Sequence, residues 1–469
     1  MRLAPGVLDL LPSAVGRFAY DRAAQSVGIV HLGIGAFHRA HQAIYTDLAM
    51  SAGDRDWAIC GVSLRSRTVR DQLVPQGSLY SLTQRGPARS TSSIVGSVRS
   101  VLAAADDPGG VVAALADPAS RIVTLTVTEK GYYGEVGGGL DLASSDIAHD
   151  LSSAPDKRTI YGFLAAGLAR RRASGLAGLT LVSCDNLAEN GARLAANLAQ
   201  FLDRADPSLG KWFQAECATP STMVDRIVPA TTAKQIDLLE TQLGCRDEAA
   251  VFTEPFSQWV IEDKFAGPRP RWEVAGAQFV SDVRPYEVAK LRMLNGAHSA
   301  LAYVGLRRGH TYVHEAIADP HLGQLVIRLM LEEAAPTLPP ADGLDPSAYA
   351  TALLERFGNS ALGHRLEQIA MDGSQKIPQR WLPVLRFHQA EGRQCPAILE
   401  ALAAWILHVR SGPDHVADPL AGRLAQIWLK AGCREVARAL FGAGGLFADD
   451  WTATPDDLQV LRSRLDETG

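Results

Sequence analysis

A short apolar run, Val27 to Leu32, is broken at once by Gly33-Ile34-Gly35, and helical periodicity resumes from Ala40 to Met50. Strand, glycine turn and helix in that order are the parts of a nucleotide-binding βα unit, which commits the chain to an α/β beginning. Further strand candidates at Trp57 to Ser63, Arg121 to Thr128 and Leu179 to Ser183 alternate with helical segments such as Pro108 to Ala116 and Ile160 to Ala173. Alternation of this kind implies a largely parallel sheet with helices on both faces. Gly137 to Pro155, with Gly-Gly-Gly and several Ser and Asp, reads as a loop or insertion, and Ala266 to Trp272 as a second break.

After about Ser281 the strand signals nearly vanish. The pattern becomes helix after helix: His298 to Gly305, His321 to Ala335, Ala348 to Phe357, Pro396 to Val409 and Ala421 to Ala431. The expected fold is therefore an N-terminal Rossmann-type α/β domain with a mostly parallel sheet, residues 1–280, followed by a mainly α-helical domain, residues 281–469. A chain of 469 residues with 47% apolar content is long enough for such a division. A net charge of -5 gives no global reason to bind nucleic acid or an anionic membrane. No basic leader precedes an apolar segment, and no stretch approaches the ~20 apolar residues of a bilayer span, so a soluble cytoplasmic protein is expected. Cys60, Cys184, Cys217, Cys245, Cys395 and Cys433 are scattered without a Cys-x-x-Cys pair, which speaks against a disulfide framework and a structural zinc.

Three places carry chemistry. At the glycine turn, backbone N–H groups without side chains can approach a pyrophosphate, aided by the positive end of a helix dipole, and Arg39 could hydrogen-bond a phosphate directly. Where the second strand ends, a carboxylate would select NAD by accepting the ribose 2′-hydroxyl. The chain instead reads Val62-Ser-Leu-Arg65-Ser-Arg67, so a 2′-phosphate, and hence NADP, stays open. The pair Asp185-Asn186 follows an apolar strand and so falls at the ligand edge of a parallel sheet, where a side-chain amide can donate to a developing alkoxide. As an isolated pair it is also ordinary turn chemistry.

The third place is Lys290-Leu-Arg-Met-Leu-Asn295-Gly-Ala-His298. On a regular helix Lys290, Leu294 and His298 share one face, with Asn295 on its flank. A Lys, an Asn and a His on a helix more often form a solvated face than a site; their coincidence with the glycine turn and the Asp-Asn pair changes that balance. Lys290 and His298 are eight residues apart, a rise of about 12 Å on a continuous helix, so an extended substrate would lie between them. The segment sits just past the junction of the two halves, and small-ligand sites commonly form where domains meet.

The blocks Gly-Ile-Gly-Ala-Phe-His-Arg-Ala-His (33–41), Thr-Val-Thr-Glu-Lys-Gly-Tyr (126–132), Ser-Cys-Asp-Asn (183–186), Met-Val-Asp-Arg-Ile-Val-Pro (223–229), Glu-Pro-Phe-x-Gln-Trp-Val-Ile-Glu-Asp (254–263) and Lys-x4-Asn-x2-His (290–298) together resemble the long-chain mannitol dehydrogenase family. Residues 370–380 and 445–450 look most like the branch that reduces fructuronate to D-mannonate. The resemblance implies a metal-independent, NAD(P)-linked interconversion of ketone and secondary alcohol on a sugar acid or polyol. The rival within the family is a mannitol, sorbitol or arabinitol dehydrogenase, and a distant one is a non-catalytic, cofactor-binding regulator.

Carried over by position, Lys290 matches the general acid/base, Asn186 and Asn295 the oxyanion donors, and His298 a substrate-orienting imidazole. Two amides aimed at an alkoxide stabilise it without reorganisation, at roughly 3 kcal/mol each. A proton-delivering Lys290 needs a pKa nearer roughly 7–8 than ~10.4, and Glu287 offers a proton path to solvent. Gly33, Ile34, Gly35, Ala36, Phe37, Arg39, Arg65, Thr128, Glu129, Lys130 and Asp185 are the expected coenzyme contacts. Asp225 is expected to orient His298 or a substrate hydroxyl. A uronate carboxylate in a closed cleft needs a cation, and Lys376 and Arg380, on one face if that segment is helical, are the candidates. A monomer is expected from the resemblance, with a dimer left open.

Overall fold

The computed structural model describes residues 1–135, 138–152 and 154–466. Contacts divide the chain into two compact units, Met1–Arg284 and Pro285–Gly469.

In the first unit the strands β1 (Val27–Leu32), β2 (Ala58–Ser63), β3 (Tyr80–Arg85), β4 (Ser90–Val95), β5 (Val98–Ala103), β6 (Ile122–Leu125), β7 (Thr180–Ser183), β8 (Thr222–Asp225), β9 (Val251–Thr253), β10 (Gln258–Glu262) and β11 (Gln278–Val280) form three sheets. The main sheet has the order β5-β2-β1-β6-β7 and is parallel throughout. β1, β2, β6 and β7 are short apolar runs buried on both faces, as a parallel sheet between helices requires, and the edge strand β5 exposes Arg99. Ile29, Ile122 and Val182 enter one core, and Val30, Val123 and Leu181, one residue on or back, enter the other.

Register positions the site. Leu32 pairs with Val62 and Leu125, and Leu125 with Ser183. The segments that follow, near residues 33, 64, 126 and 184, therefore leave the sheet along one carboxyl edge, although about 150 residues of sequence separate the first from the last.

The two smaller sheets are mixed. β3 and β4 form an antiparallel hairpin closed at Gly86, whose N–H donates to Arg89 O at 3.0 Å, and β9 joins β3 in parallel; β10 pairs antiparallel with β8 and parallel with β11. The expected loop at 137–155 is corrected in part. Gly137 and Ser153 lie outside the described residues, but Ser145–Leu151 is a helix, with Ile147 buried on its inner face.

The second unit is helical. Its central helix, Gly296–Arg307, is buried for most of its length because Ala297, Ala300, Ala302 and Gly305 let neighbours approach closely. A Cβ on Gly305 would stand 2.8 Å from Leu366 Cδ1. The helices expected from His321 and Ala348 begin earlier, at Pro320 and Pro346. Asp319 and Asp345 accept the first backbone N–H groups there, and Pro at the first helical position forfeits no bond. Lys290–Asn295 and Leu329–Ala334 are π-helical and pack against each other. No helix among the described residues is long and apolar enough to cross a membrane.

Candidate active site

The glycine turn is set by backbone hydrogen bonds. Gly33 and Ile34 both donate to Val62 O, at 2.9 and 3.1 Å, and Gly35 donates to Gly33 O at 2.7 Å. Gly33 has φ +98°, and a Cβ there would lie 2.2 Å from Thr126 O, so only glycine fits. Gly35 differs: its φ is -99°, and a Cβ would meet nothing nearer than Gly33 O at 3.8 Å. The space above it is open, which is what a pyrophosphate approaching the backbone requires. Ala36 and Phe37 keep partial exposure beside it, whereas Ile34 is buried, its side chain seated against Gly61, so that only its backbone borders the turn.

Arg39 is a correction. Its guanidinium is buried and donates to Gly35 O at 3.3 Å and to Ala249 O, while its own carbonyl accepts from Tyr80 Oη at 2.6 Å. It ties the turn to the β9 region and does not reach for a phosphate. At the end of β2, Arg65 is exposed with Nη2 3.4 Å from Tyr133 Oη, while Arg67 and Arg70 pair with Asp106.

Asp185 also acts differently from expectation. Its carboxylate accepts from Val127 N at 3.0 Å, Thr128 N at 2.8 Å and Tyr132 Oη at 2.9 Å. Burial pushes its pKa up, and these three bonds offset only part of that rise. It shapes the exposed turn Thr128, Glu129 and Lys130, in which Thr128 has φ +66°, and its oxygens are committed there rather than to a coenzyme. Asn186 is exposed on the bend one residue later. That bend hangs on two residues the sequence did not mark. Buried Asn190 donates to Asp185 O and Thr222 O, both at 2.9 Å, and accepts from Thr222 N at 2.9 Å. Asp225 is buried at the end of β8, paired in register with Gln258 of β10.

In the second unit Lys290 opens the π-helical turn and Asn295 closes it. Gly296 N–H reaches back five residues to Leu291 O instead of four. A closure of this kind stacks residue i+5 over residue i, so Asn295 follows Lys290 up the same side. Leu294, expected on the face of Lys290, is 2% exposed and belongs to the core. Lys290, Asn295 and His298 all keep partial exposure. The α-helical rise no longer measures the distance from Lys290 to His298, because the helix is not regular between them. Glu287 lies in the preceding turn, within the helix Arg284–Ala289.

His298 packs against Phe357 and His364, with ring centroids at 4.8 and 5.3 Å. Burial, then His364, Arg356 and Arg380, hold its pKa well below the usual imidazole range, so the ring is neutral and can both donate and accept. Lys376 and Arg380 do lie on one helix, Gly373–Arg380, four residues apart. Lys376 Nζ donates to Ile369 O at 3.3 Å and to Met371 O. Burial and the neighbouring Arg380 push its pKa down. Arg380 Nη1 donates to Asn295 O at 3.1 Å and Ser299 Oγ at 2.7 Å, and burial pushes its pKa down to about 10.

Residues 27–274 match the mannitol dehydrogenase Rossmann domain and residues 282–448 the mannitol dehydrogenase C-terminal domain. The chain belongs to the mannitol dehydrogenase family. It is an oxidoreductase of that family, similar to the D-mannonate oxidoreductase of Escherichia coli (strain K12), with 40% identity over 94% of this chain and 93% of the relative. It is also similar to a mannitol 2-dehydrogenase of Pyricularia oryzae, with 43% identity over 78% and 74%. Among solved structures, the mannitol 2-dehydrogenase of Pseudomonas fluorescens, in ternary complex with NAD and D-mannitol, is 35% identical and superimposes with a TM-score of 0.81, covering 100% of this chain and 96% of its own. In this chain Lys290 and Asn295 share a turn whose π form no hydrophobic period announces, and Asn190 gives no signal beyond being an asparagine near a helix start.

Proposed function

We propose that this chain reduces the ketone of an acyclic sugar acid, fructuronate to D-mannonate, with NADH. The observation that carries the reading is the charge gathered around the π turn. The half-buried side chains of Lys376 and Arg380 stand on the helix packed against it, and His298 beside it is neutral. A carboxylate leaving water for such a place needs a cation. Lys376 gives two of its three protons to backbone carbonyls and retains one for an anion.

The coenzyme assignment rests on the open space at Gly35 and on likeness to a structure with NAD bound. When bound, the nicotinamide supplies the hydride. Lys290 Nζ holds the proton that the new alkoxide takes, and the amides of Asn186 and Asn295 are its donors, at roughly 3 kcal/mol each. The imidazole of His298 orients a substrate hydroxyl, Asp225 supports that arrangement, and Glu287 passes the proton to solvent. Thr128, Glu129 and Lys130, held by Asp185, border the coenzyme.

The second reading, a mannitol dehydrogenase acting on neutral polyols, is favoured by the Pyricularia oryzae relative. Initial rates with fructuronate, tagaturonate and fructose, each with NADH and NADPH, separate the two. A kcat/KM for fructuronate roughly a hundredfold or more above fructose is expected; the reverse order makes the chain a polyol dehydrogenase. Lys290→Ala is expected to lower kcat by roughly 10²- to 10⁴-fold with coenzyme affinity unchanged. Comparable loss of coenzyme binding would remove Lys290 from the chemistry.

A further inference from the structure

We propose that Arg380 is a positioning residue for the reaction: with the indole of Trp381 it pins the π turn that carries Lys290 and Asn295. The inference rests on the role given to that turn above.

A π turn is rare because its wide ring packs poorly and breaks the helix's bonding register. Where i→i+5 bonding reverts to i→i+4, the phase of the helix has changed by one residue, so donors that hold the backbone just beyond the turn also fix that phase. Asn295 ends the π turn and Gly296 begins the α-helix beyond it. Each of their carbonyls accepts a side-chain donor from the same neighbouring segment: Arg380 Nη1 at 3.1 Å on Asn295 O, and Trp381 Nε1 at 3.2 Å on Gly296 O. The same Nη1 also holds Ser299 Oγ at 2.7 Å, one turn further on. Trp381 and Ser299 are fully buried, and a Cβ on Gly296 would stand 3.4 Å from Trp381 Nε1, so the indole lies against the helix backbone there. On the other flank Arg292 Nη1 donates to Thr337 O at 2.6 Å.

These bonds reward the wide turn and would be misplaced on a regular helix. Returning one turn to α geometry shifts the following residues by one position, about 100° of rotation. Asn295 would leave the side of Lys290 and Leu294 would take its place. Arg380 thereby governs the geometry of the acid/base and an oxyanion donor without touching the substrate.

The test is steady-state kinetics of Arg380→Ala and Arg380→Lys with a uronate and a neutral ketose, fructuronate and fructose, together with the pH profile of kcat and coenzyme affinity by NADH fluorescence. Arg380→Ala is expected to lower kcat about tenfold or more on whichever of the two is turned over. The pH profile should shift, because Lys290 has lost its neighbour, and NADH affinity should stay within about twofold. Arg380→Lys, which keeps one donor, should recover part of kcat. A rise in KM confined to fructuronate, with kcat and the pH profile unchanged, would make Arg380 a direct carboxylate ligand and overturn the proposal. Should Arg380→Ala fail to fold, Ser299→Ala and Trp381→Phe each remove a single bond at nearly constant shape; unaltered kcat and pH profile in both would equally overturn it. Lys290→Ala in parallel keeps the two claims apart. If it retains turnover, the role given to Lys290 is wrong, whereas a normal Arg380→Ala beside an inactive Lys290→Ala rejects only the clamp.

Discussion

Gly33 and Gly35 look alike in the sequence and are required for different reasons. Gly33 is required by the fold, since its φ of +98° and its closeness to Thr126 O exclude any side chain. Gly35 has ordinary extended backbone and open space above it, so nothing within the protein demands a glycine. If its purpose is to let a pyrophosphate approach, Gly35→Ala should fold with an unfolding temperature near that of the parent and bind NADH at least about tenfold more weakly. Thermal melts with fluorescence titration check both halves, and unchanged affinity would place the phosphates elsewhere. Arg39 shows the limit of reading a single residue. A cation after a glycine turn suggests a phosphate ligand, yet its guanidinium is turned inward to Ala249 O. That carbonyl is 210 residues away, beyond the reach of any local pattern.

At the scale of elements, β1, β2, β6 and β7 of the main sheet and the helix Ile160–Ala173 were legible because burial on both faces, or a helical period, writes itself into composition, whereas the edge strand β5, with Arg99 exposed, was missed. The helix starts at Pro320 and Pro346 carry Asp-Pro signatures that the apolar period alone overlooked. The π turns were not legible. A period of 3.6 put Leu294 beside Lys290, and only packing decides that one extra residue enters the turn. The second π turn, Leu329–Ala334, brings a prediction of its own. Its Glu333, 3% exposed, accepts from Ala397 N at 2.8 Å and Ile398 N at 2.9 Å at the start of the helix Pro396–His408. Burial nevertheless pushes its pKa up from the ordinary carboxylate range to about 7. The folded state therefore holds this proton more tightly than the unfolded chain, and stability present below about pH 4.5 is lost as pH rises through about 7, by up to roughly 3 kcal/mol. Glu333→Gln mimics the protonated form. Urea unfolding at pH 5, 6, 7 and 8 should find the variant gaining on the parent as pH rises, and a constant difference would show that Glu333 does not titrate in this range.

For the whole molecule, the alternating first half and helical second half were enough to derive a parallel-sheet domain followed by a helical one. The two mixed sheets escaped notice because β9 and β11 span three residues each and β4 is polar and exposed at its start, so no apolar run marks them. Charge is the other property that belongs to the molecule as a whole. The net value of -5 disfavours anions at long range, while Lys290, Lys376 and Arg380 favour them close at hand. Screening acts on both terms but leaves a neutral substrate indifferent, with a Debye length of about 10 Å at 0.1 M salt falling to about 3 Å at 1 M. If the local cations dominate, kcat/KM for fructuronate should fall severalfold between about 0.05 and 0.5 M NaCl, while that for fructose stays within about twofold. If the distant negative charge dominates, the uronate rate should rise with salt instead. Equal dependence for the two substrates would mean that no cation reads the carboxylate, and the preference for a sugar acid would lose its physical basis.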